Sequence, residues 1–367
     1  MNEKIFTAKP FIDEDTCNSV LEVLRSGMIT QGVKVAELEA KFAEYCGVKY
    51  SAALNSGTAA LHAGLFALGV DKDDEVITSP FTFVASANSI LMMGAKPVFA
   101  DIDEDTFNID PKNIQNKITA KTKVIMPIHL YGLLSDMPQI QTLANAAKIT
   151  ILEDACQAHG ATLNDQKAGS FGDVSAFSLY ATKNIMAGEG GVLTSNNESF
   201  IENVKSFRHH GQSLVTQYNY TGFGYNYRMT DIHAAIGLSQ LKMAENFNRK
   251  RLENAAILNK GLSGISGITI PSVPSNYGHV YHQYTIKVDV GKYGRTRDEL
   301  VQDLQRNNVF PGIFYPKPLH TYPVFQKFGY KEGDFPVSEK ISQQVLSLPV
   351  HPQITNEDLN RIINIIK

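Results

Sequence analysis

Residues 172–191, GDVSAFSLYATKNIMAGEGG, run from a short apolar segment into a turn that carries one lysine, Lys183, and then into a cluster of glycines. The segment VSAFSLYA is apolar on both alternating faces, the pattern of a strand buried on both sides. Six more runs share it: YSAALN (50–55), EVITSP (75–80), KPVFAD (96–101), KVIMPIHL (123–130), ITILEDA (149–155) and GVLTS (191–195). Between them TAALHAGLFALG and MPQIQTLANAAKI place apolar residues at helical spacing. The alternation predicts an α/β fold, a mainly parallel sheet with helices on both sides through about residue 245.

Beyond that point the texture changes. The stretch RMTDIHAAIGLSQLKMAENFNRKRLENAAILNKGL reads as one long helix joining two lobes. A strand YHQYTIKVDV, a helix TRDELVQDLQRNN, the Pro-rich FPGIFYPKPLHTYPVF and a closing helix follow, an α+β pattern. The expected division is a large domain over 1–245 and a smaller C-terminal one over 246–367. Two lobes suit 367 residues, since a single core rarely grows past roughly 250–300. No internal repeat or low-complexity tract interrupts them.

A net charge of −3, without a block of either sign, argues against nucleic acid or an anionic membrane as partner. Cys17, Cys46 and Cys156 are too few and too scattered for a disulfide or zinc framework, so they are expected to pack in a reducing compartment. The N-terminal MNEKIFTAKPFIDEDT has no apolar segment of signal-peptide length, and no uncharged apolar run of about 18 residues follows. A cytoplasmic, soluble protein is the expectation.

Ligand sites of open α/β sheets gather at carboxyl ends of strands, and Lys183 sits just past one. Alone it reads as a solvated loop lysine, but Ser178 precedes it and GEGG at 188–191 permits close backbone approach to a ligand. NSGTAALH (55–62) is a strand end, a turn and a helix start, which serves either as an anion site or as an ordinary cap. ILEDACQAHG (151–160) puts two acids at the end of a strand. DIDEDTFNID (101–110) imitates a calcium loop, yet Thr106 and Lys112 stand where glycine and glutamate belong, so it reads as a solvated loop. His209-His210 and His279/His282 lack a third ligand at metal spacing and read as packing or hydrogen-bonding residues; no metal is expected.

Taken in order, NSGTAALH, SPFTFVASANSI, EDACQAHGA, GDVSAFSLYATKNIMAGEGG, GYNYRMTDIHAAIGLSQL, GIFYPKPLH and SLPVHP resemble the DegT/DnrJ/EryC1/StrS family of sugar aminotransferases. The resemblance covers nearly the whole chain. It implies the PLP-dependent transferase (aspartate aminotransferase type I) fold, and pyridoxal 5′-phosphate (PLP, cycling with PMP) as cofactor. On it, Lys183 takes the Schiff-base position, and Asp154 pairs with the pyridine nitrogen, an anion there keeping that nitrogen protonated. Glu153, on the other face of its strand, is not the partner chosen. Gln157 matches the residue bonded to the ring oxygen, and Phe83 an aromatic stacked on the ring, although Phe83 also reads as a core residue. Gly57, Thr58 and Ser178 match the phosphate cup. Asn226 matches an asparagine that reaches the phosphate from a neighbouring subunit, implying a homodimer with shared active sites. Arg228, Tyr315, Lys317 and His320 fall where relatives contact or shape the pocket for a nucleotide sugar.

The implied reaction moves an amino group from an amino acid, L-glutamate first among donors, to a keto group of a nucleotide-activated hexose, in amino-sugar biosynthesis for a surface polysaccharide or glycan. Family dehydratases carry histidine in place of the lysine, so Lys183 favours transamination. Two rivals stand beside this reading: another PLP enzyme of the same fold acting on small amino acids, and a catalytically silent regulatory or binding dimer.

Overall fold

The computed structural model describes residues 3–367. Seven strands form the central sheet: β1 (Tyr50–Leu54), β2 (Glu75–Thr78), β3 (Lys96–Phe99), β4 (Thr122–Ile125), β5 (Thr150–Asp154), β6 (Val174–Ser178) and β7 (Gly191–Ser195). Their order is β1-β7-β6-β5-β4-β2-β3. Only β7 runs against its neighbours; the others point one way. The mainly parallel α/β sheet is therefore as expected. Every strand but β7 is shorter than its apolar run, and β6 ends at Ser178, five residues before Lys183.

Both faces of the sheet are buried. Successive residues of β6 and β7 alternate between two cores: Phe177 and Val192 pack with Leu38 and Phe42, whereas Ala176 and Leu193 pack with Ala60 and Leu65. This two-sided burial is why the runs read as continuously apolar. The helix Gly57–Ala67, apolar nearly all round, is enclosed between the sheet and its neighbours.

A second sheet, Ile268–Thr269, Tyr284–Val288 and Val345–Leu348, is antiparallel. It has a core of its own that includes Tyr284, Ile286, Leu300, Leu346 and Ile362. The helix Asp231–Leu262 runs without a break past residue 245 and bridges the two regions. Its Ala234 and Leu238 belong to the first core, and its Ala255, Leu258 and Leu262 to the second. Ile5 also packs in that second core, because Ile5–Phe6 pairs with Val309–Phe310. Among the described residues, no helix is long and apolar enough to cross a membrane.

One sequence expectation needs correction. Asp101, first residue of the supposed solvated loop, is buried. Its carboxylate accepts Val337 N at 2.9 Å, Ser338 N at 3.0 Å and Ser338 Oγ at 2.5 Å, tying down the start of the helix Pro336–Gln344. Asp103 does form a local turn by accepting Asp105 N and Thr106 N at Oδ1, while Asp110 caps the helix Pro111–Gln115. No group of residues able to hold a metal occurs among the described residues.

Glu153 anchors the sheet to the loop before β6. Its fully buried carboxylate accepts Phe171 N (2.8 Å), Gly172 N (2.8 Å), Ser175 Oγ (2.6 Å), Gly169 N (3.1 Å) and His129 Nε2 (2.8 Å). His129 Nδ1 accepts Ser135 N, so Nε2 carries the proton it donates. Burial raises the Glu153 pKa, but the bonds from His129, Ser175 and Gly172 outweigh it and hold the carboxyl below the ordinary value of 4.5. A depressed folded-state pKa contributes stability that is complete above the ordinary value and lost as pH falls through the folded one. Glu153→Gln removes the charge and replaces one carboxylate oxygen by an NH2 group that faces donors. It is expected to cost about 3–5 kcal/mol, seen as a thermal midpoint lower by about 5 °C or more at pH 7, with the deficit shrinking as pH falls below about 4. An unchanged midpoint at pH 7 would contradict this anchoring role.

Candidate active site

Carboxyl ends of β1, β5 and β6 lie side by side, because Leu54 pairs with Gly191, Gly191 with Ser178, and Asp154 with Ala176. Beyond these ends opens a cavity of about 560 Å³. Gly57, Thr58, Phe83, Asp154, Gln157, Ser178, Tyr315 and Lys183 all line it. Eight of the residues singled out in the sequence, spread over more than 250 positions, thus meet at one place.

At one wall the helix Gly57–Ala67 begins. Ser56 Oγ caps Ala59 N and Ser56 O accepts Ala60 N, leaving the Gly57 and Thr58 amides unused among the described residues. Unpaired amides at the positive end of a helix suit an anion. A Cβ on Gly57 would lie 2.7 Å from Ser178 Cβ, so glycine lets the helix start and the Ser178 hydroxyl share one cradle.

The glycines of GEGG also answer to contacts within the chain. A Cβ on Gly191 would lie 2.2 Å from Ser56 O, and one on Gly190 2.4 Å from Met229 Cε. They allow the chain to approach its own backbone and packing, and thereby hold the Ser56–Gly57 turn.

Asp154 points to the opposite face of β5 from Glu153. Oδ2 accepts Ser86 Oγ at 2.7 Å and Oδ1 accepts Cys156 N at 3.2 Å, which fixes the carboxylate and leaves lone pairs for a ligand. Gln157 Oε1 accepts Tyr131 N and Nε2 donates to Tyr315 Oη at 3.2 Å, so a second hydrogen on Nε2 stays free. Burial raises the phenol pKa of Tyr315, which keeps its proton to donate. Phe83 is 57% exposed and 6.4 Å from the Tyr315 ring, which rules out the core reading and leaves one face open.

Lys183 is partly buried, its backbone turned by a bond from its own N–H to Tyr180 O. Desolvation pulls its pKa below the ordinary lysine value of 10.5, while Cys156 and Asp154 act in the opposite direction. Burial also raises the pKa of Cys156 well above the usual thiol value, so it lines the cavity as a neutral thiol. Cys46 packs as expected, but Cys17 is exposed.

Four candidates lie outside the lining. Arg228 bonds to His209, and Lys317 is exposed. His320 is 0% exposed, with Nε2 2.8 Å from Glu339 Oε1 and its ring against Phe335. Of its two expected roles, contacting the sugar or shaping the pocket, this burial fits the second: His320 braces the Pro-rich loop from behind. Asn226 is exposed beside the end of β1, where Asn55 N bonds to Tyr227 O. The sequence reading missed Ser86, Glu189, His282 and Gln283, which reach the site. Ser86 sits 68 residues from the carboxylate it holds, and no local pattern marks such a pair.

The description of one family model, the DegT/DnrJ/EryC1/StrS aminotransferase family, matches residues 10–367. The chain is 38% identical to the spore coat polysaccharide biosynthesis protein SpsC of Bacillus subtilis, over 98% of this chain and 95% of that one. It is 36% identical to the GDP-perosamine synthase of Caulobacter vibrioides, over 98% and 96%. It aligns with the PLP form of Spr1654 from Streptococcus pneumoniae at a TM-score of 0.94 and 30% identity, covering 99% of this chain and 98% of that one.

The cradle makes a direct prediction. Gly57→Ala forces Ser178 away from the helix start and is expected to weaken binding of PLP, used as a phosphate-bearing probe, by at least about tenfold. Calorimetric titration measures it, and wild-type affinity in the variant would refute the cradle.

Proposed function

Because this chain belongs to the DegT/DnrJ/EryC1/StrS aminotransferase family, we propose that it uses PLP to transfer an amino group from an amino acid, L-glutamate first, to a keto group of a nucleotide-activated hexose. The observation that carries this reading is the convergence of Lys183, Asp154, Ser178 and the Gly57–Thr58 turn on one cavity. The names of SpsC and GDP-perosamine synthase support a place in amino-sugar biosynthesis for a polysaccharide or glycan.

The residues present fit the cofactor. The unused amides of Gly57 and Thr58 with the Ser178 hydroxyl would take its phosphate, and Asp154, fixed by Ser86, would pair with its ring nitrogen. Phe83 offers an open aromatic face, and Gln157 a free N–H for the ring oxygen. When bound, PLP supplies an electron sink for the bond changes at the amino-bearing carbon. Lys183 would hold the cofactor through Nζ and, once released, carry a proton there; burial favours the neutral amine that accepts it. Tyr315, with its proton retained, would donate to the substrate.

A homodimer with shared sites belongs to the same proposal. Leu214, Val215, Tyr218, Tyr220 and Phe223 are exposed just before the exposed Asn226, an apolar surface suited to a second copy. The division into 1–245 and 246–367 is likewise proposed, supported by separate cores on either side of the long helix. So is a cytoplasmic setting, supported by three unpaired cysteines.

Two experiments test the reading. Nucleotide keto sugars incubated with glutamate should gain an amine located by mass spectrometry; turnover of simple 2-oxo acids alone would favour an amino-acid aminotransferase. Borohydride reduction should fix the pyridoxyl group on Lys183, and Lys183→Ala should lose it while keeping the fold. Stable labelling of Lys205 instead, a residue paired with Glu39 at 3.3 Å outside the cavity, would overturn the assignment. For the dimer, Lys183→Ala chains mixed with inactive Asn226→Asp chains should recover part of the activity once subunit exchange is confirmed; hybrids no better than either parent would place Asn226 elsewhere.

A further inference from the structure

His282 lines the same cavity as Lys183 from the smaller lobe, and it is buried. Its Nδ1 lies 3.3 Å from Asn184 Oδ1. The orientation of the Asn184 amide is fixed, because Nδ2 donates both to Asn248 Oδ1 and to Val280 O at 3.0 Å. Oδ1 is then the atom left for His282, and an oxygen there can only accept. His282 Nδ1 must carry the hydrogen, and Nε2, which bonds to none of the described residues, keeps a free lone pair beside the cavity.

The backbone that presents this ring is held just as firmly. Val280 N donates to Gly132 O at 3.0 Å and Gln283 N to Tyr131 O at 3.2 Å. Gly132 has φ +99°, and a Cβ there would lie 3.0 Å from His282 N, so the two segments press together. Tyr131 N in turn bonds to Gln157. The imidazole is thus fixed from the Lys183 loop on one side and from the Gln157 side of the cavity on the other.

We propose that His282 is a positioning residue for Lys183, receiving at Nε2 a hydrogen bond from the ammonium that Lys183 becomes when it takes up a proton. The idea rests on the role given to Lys183 under Proposed function. A protonated amine in a cavity needs an acceptor to keep it aimed, and Asp154, held by Ser86 and Cys156, would spend its remaining lone pairs on the cofactor's ring nitrogen. A neutral acceptor holds the ammonium without trapping its proton as a free carboxylate would. The charged and titratable groups acting on His282 are Lys183, Arg251 and His159, from three different segments. After burial, the largest cause, all three disfavour a second positive charge and hold its pKa well below the ordinary 6.5.

The test uses the holoenzyme labelled with 15N-histidine, His282 being assigned by its absence in His282→Gln. The expected spectrum is a neutral ring with hydrogen on Nδ1 from pH 8 down to about 5.5. An Nε2–H tautomer, or an imidazolium at pH 7, overturns the proposal. Steady-state kinetics then compare His282→Leu, which removes the acceptor, with His282→Gln, whose amide oxygen can replace it. Expected are a fall in kcat of roughly 30-fold for leucine, a KM for either substrate changed by less than about threefold, and recovery to within about fivefold for glutamine. The kcat limb set by Lys183 should also shift to lower pH in the leucine variant, because its ammonium loses an acceptor. A raised KM with unchanged kcat would make His282 a substrate contact instead and overturn the positioning role. If His282→Leu does not fold, the wild-type tautomer and the pH profile of His282→Gln, which should match the wild type within about half a pH unit, decide the matter. Failure of the Lys183 reading would appear separately, as pyridoxyl label on another lysine of the wild type.

Discussion

The alternation of side chains along β5 is the constraint on which the rest depends. Consecutive strand residues face opposite sides of a sheet, so two adjacent acids cannot share a role. Glu153 turns inward to five donors and fixes the loop that leads into β6. Asp154 thereby faces the cavity, held by one hydroxyl and one amide. A slip of one residue in this strand would exchange the two, placing the loop anchor in the cavity and the ligand carboxylate in the core.

From that register the site assembles by neighbouring pairs. β6 lies against β5 and brings Ser178; β7 lies against β6 and β1, and its glycine lets the Ser56–Gly57 turn close on Ser178. The segments beyond the long helix supply Tyr315 and His282, attached through Gln157, Tyr131 and Asn184. Leu319 N bonds to Pro80 O at 2.7 Å, so the Pro-rich loop is fastened to the turn that carries Phe83. The cavity consequently draws on segments before and after the long helix Asp231–Leu262, which contributes to both hydrophobic cores.

Burial and hydrogen bonding divide the ionisable groups around the cavity by kind. The groups that would be costly to charge, the Cys156 thiol, the Tyr315 phenol and the His282 ring, are pushed toward their neutral forms by desolvation. Lys183 feels the same push, opposed by Asp154 and Cys156. Such a setting suits a lysine that must alternate between amine and ammonium.

The sequence by itself determined the strand and helix alternation, because burial on both faces requires continuously apolar runs, and it determined where strand ends place Lys183, Asp154, Ser178 and the Gly57–Thr58 turn. Linear order also carried the family resemblance, through motifs each confined to a few residues. Tertiary structure decided what each neighbour does. Ser86 fastens Asp154 across 68 residues, Gly191 meets the Ser56 backbone, Asp101 leaves its loop to hold a distant helix, and His320 turns into the core while His282 turns to the cavity. The reason is physical: periodicity encodes which face of an element is buried, whereas the partner of a buried polar group depends on which distant segment the packed chain brings within hydrogen-bond reach.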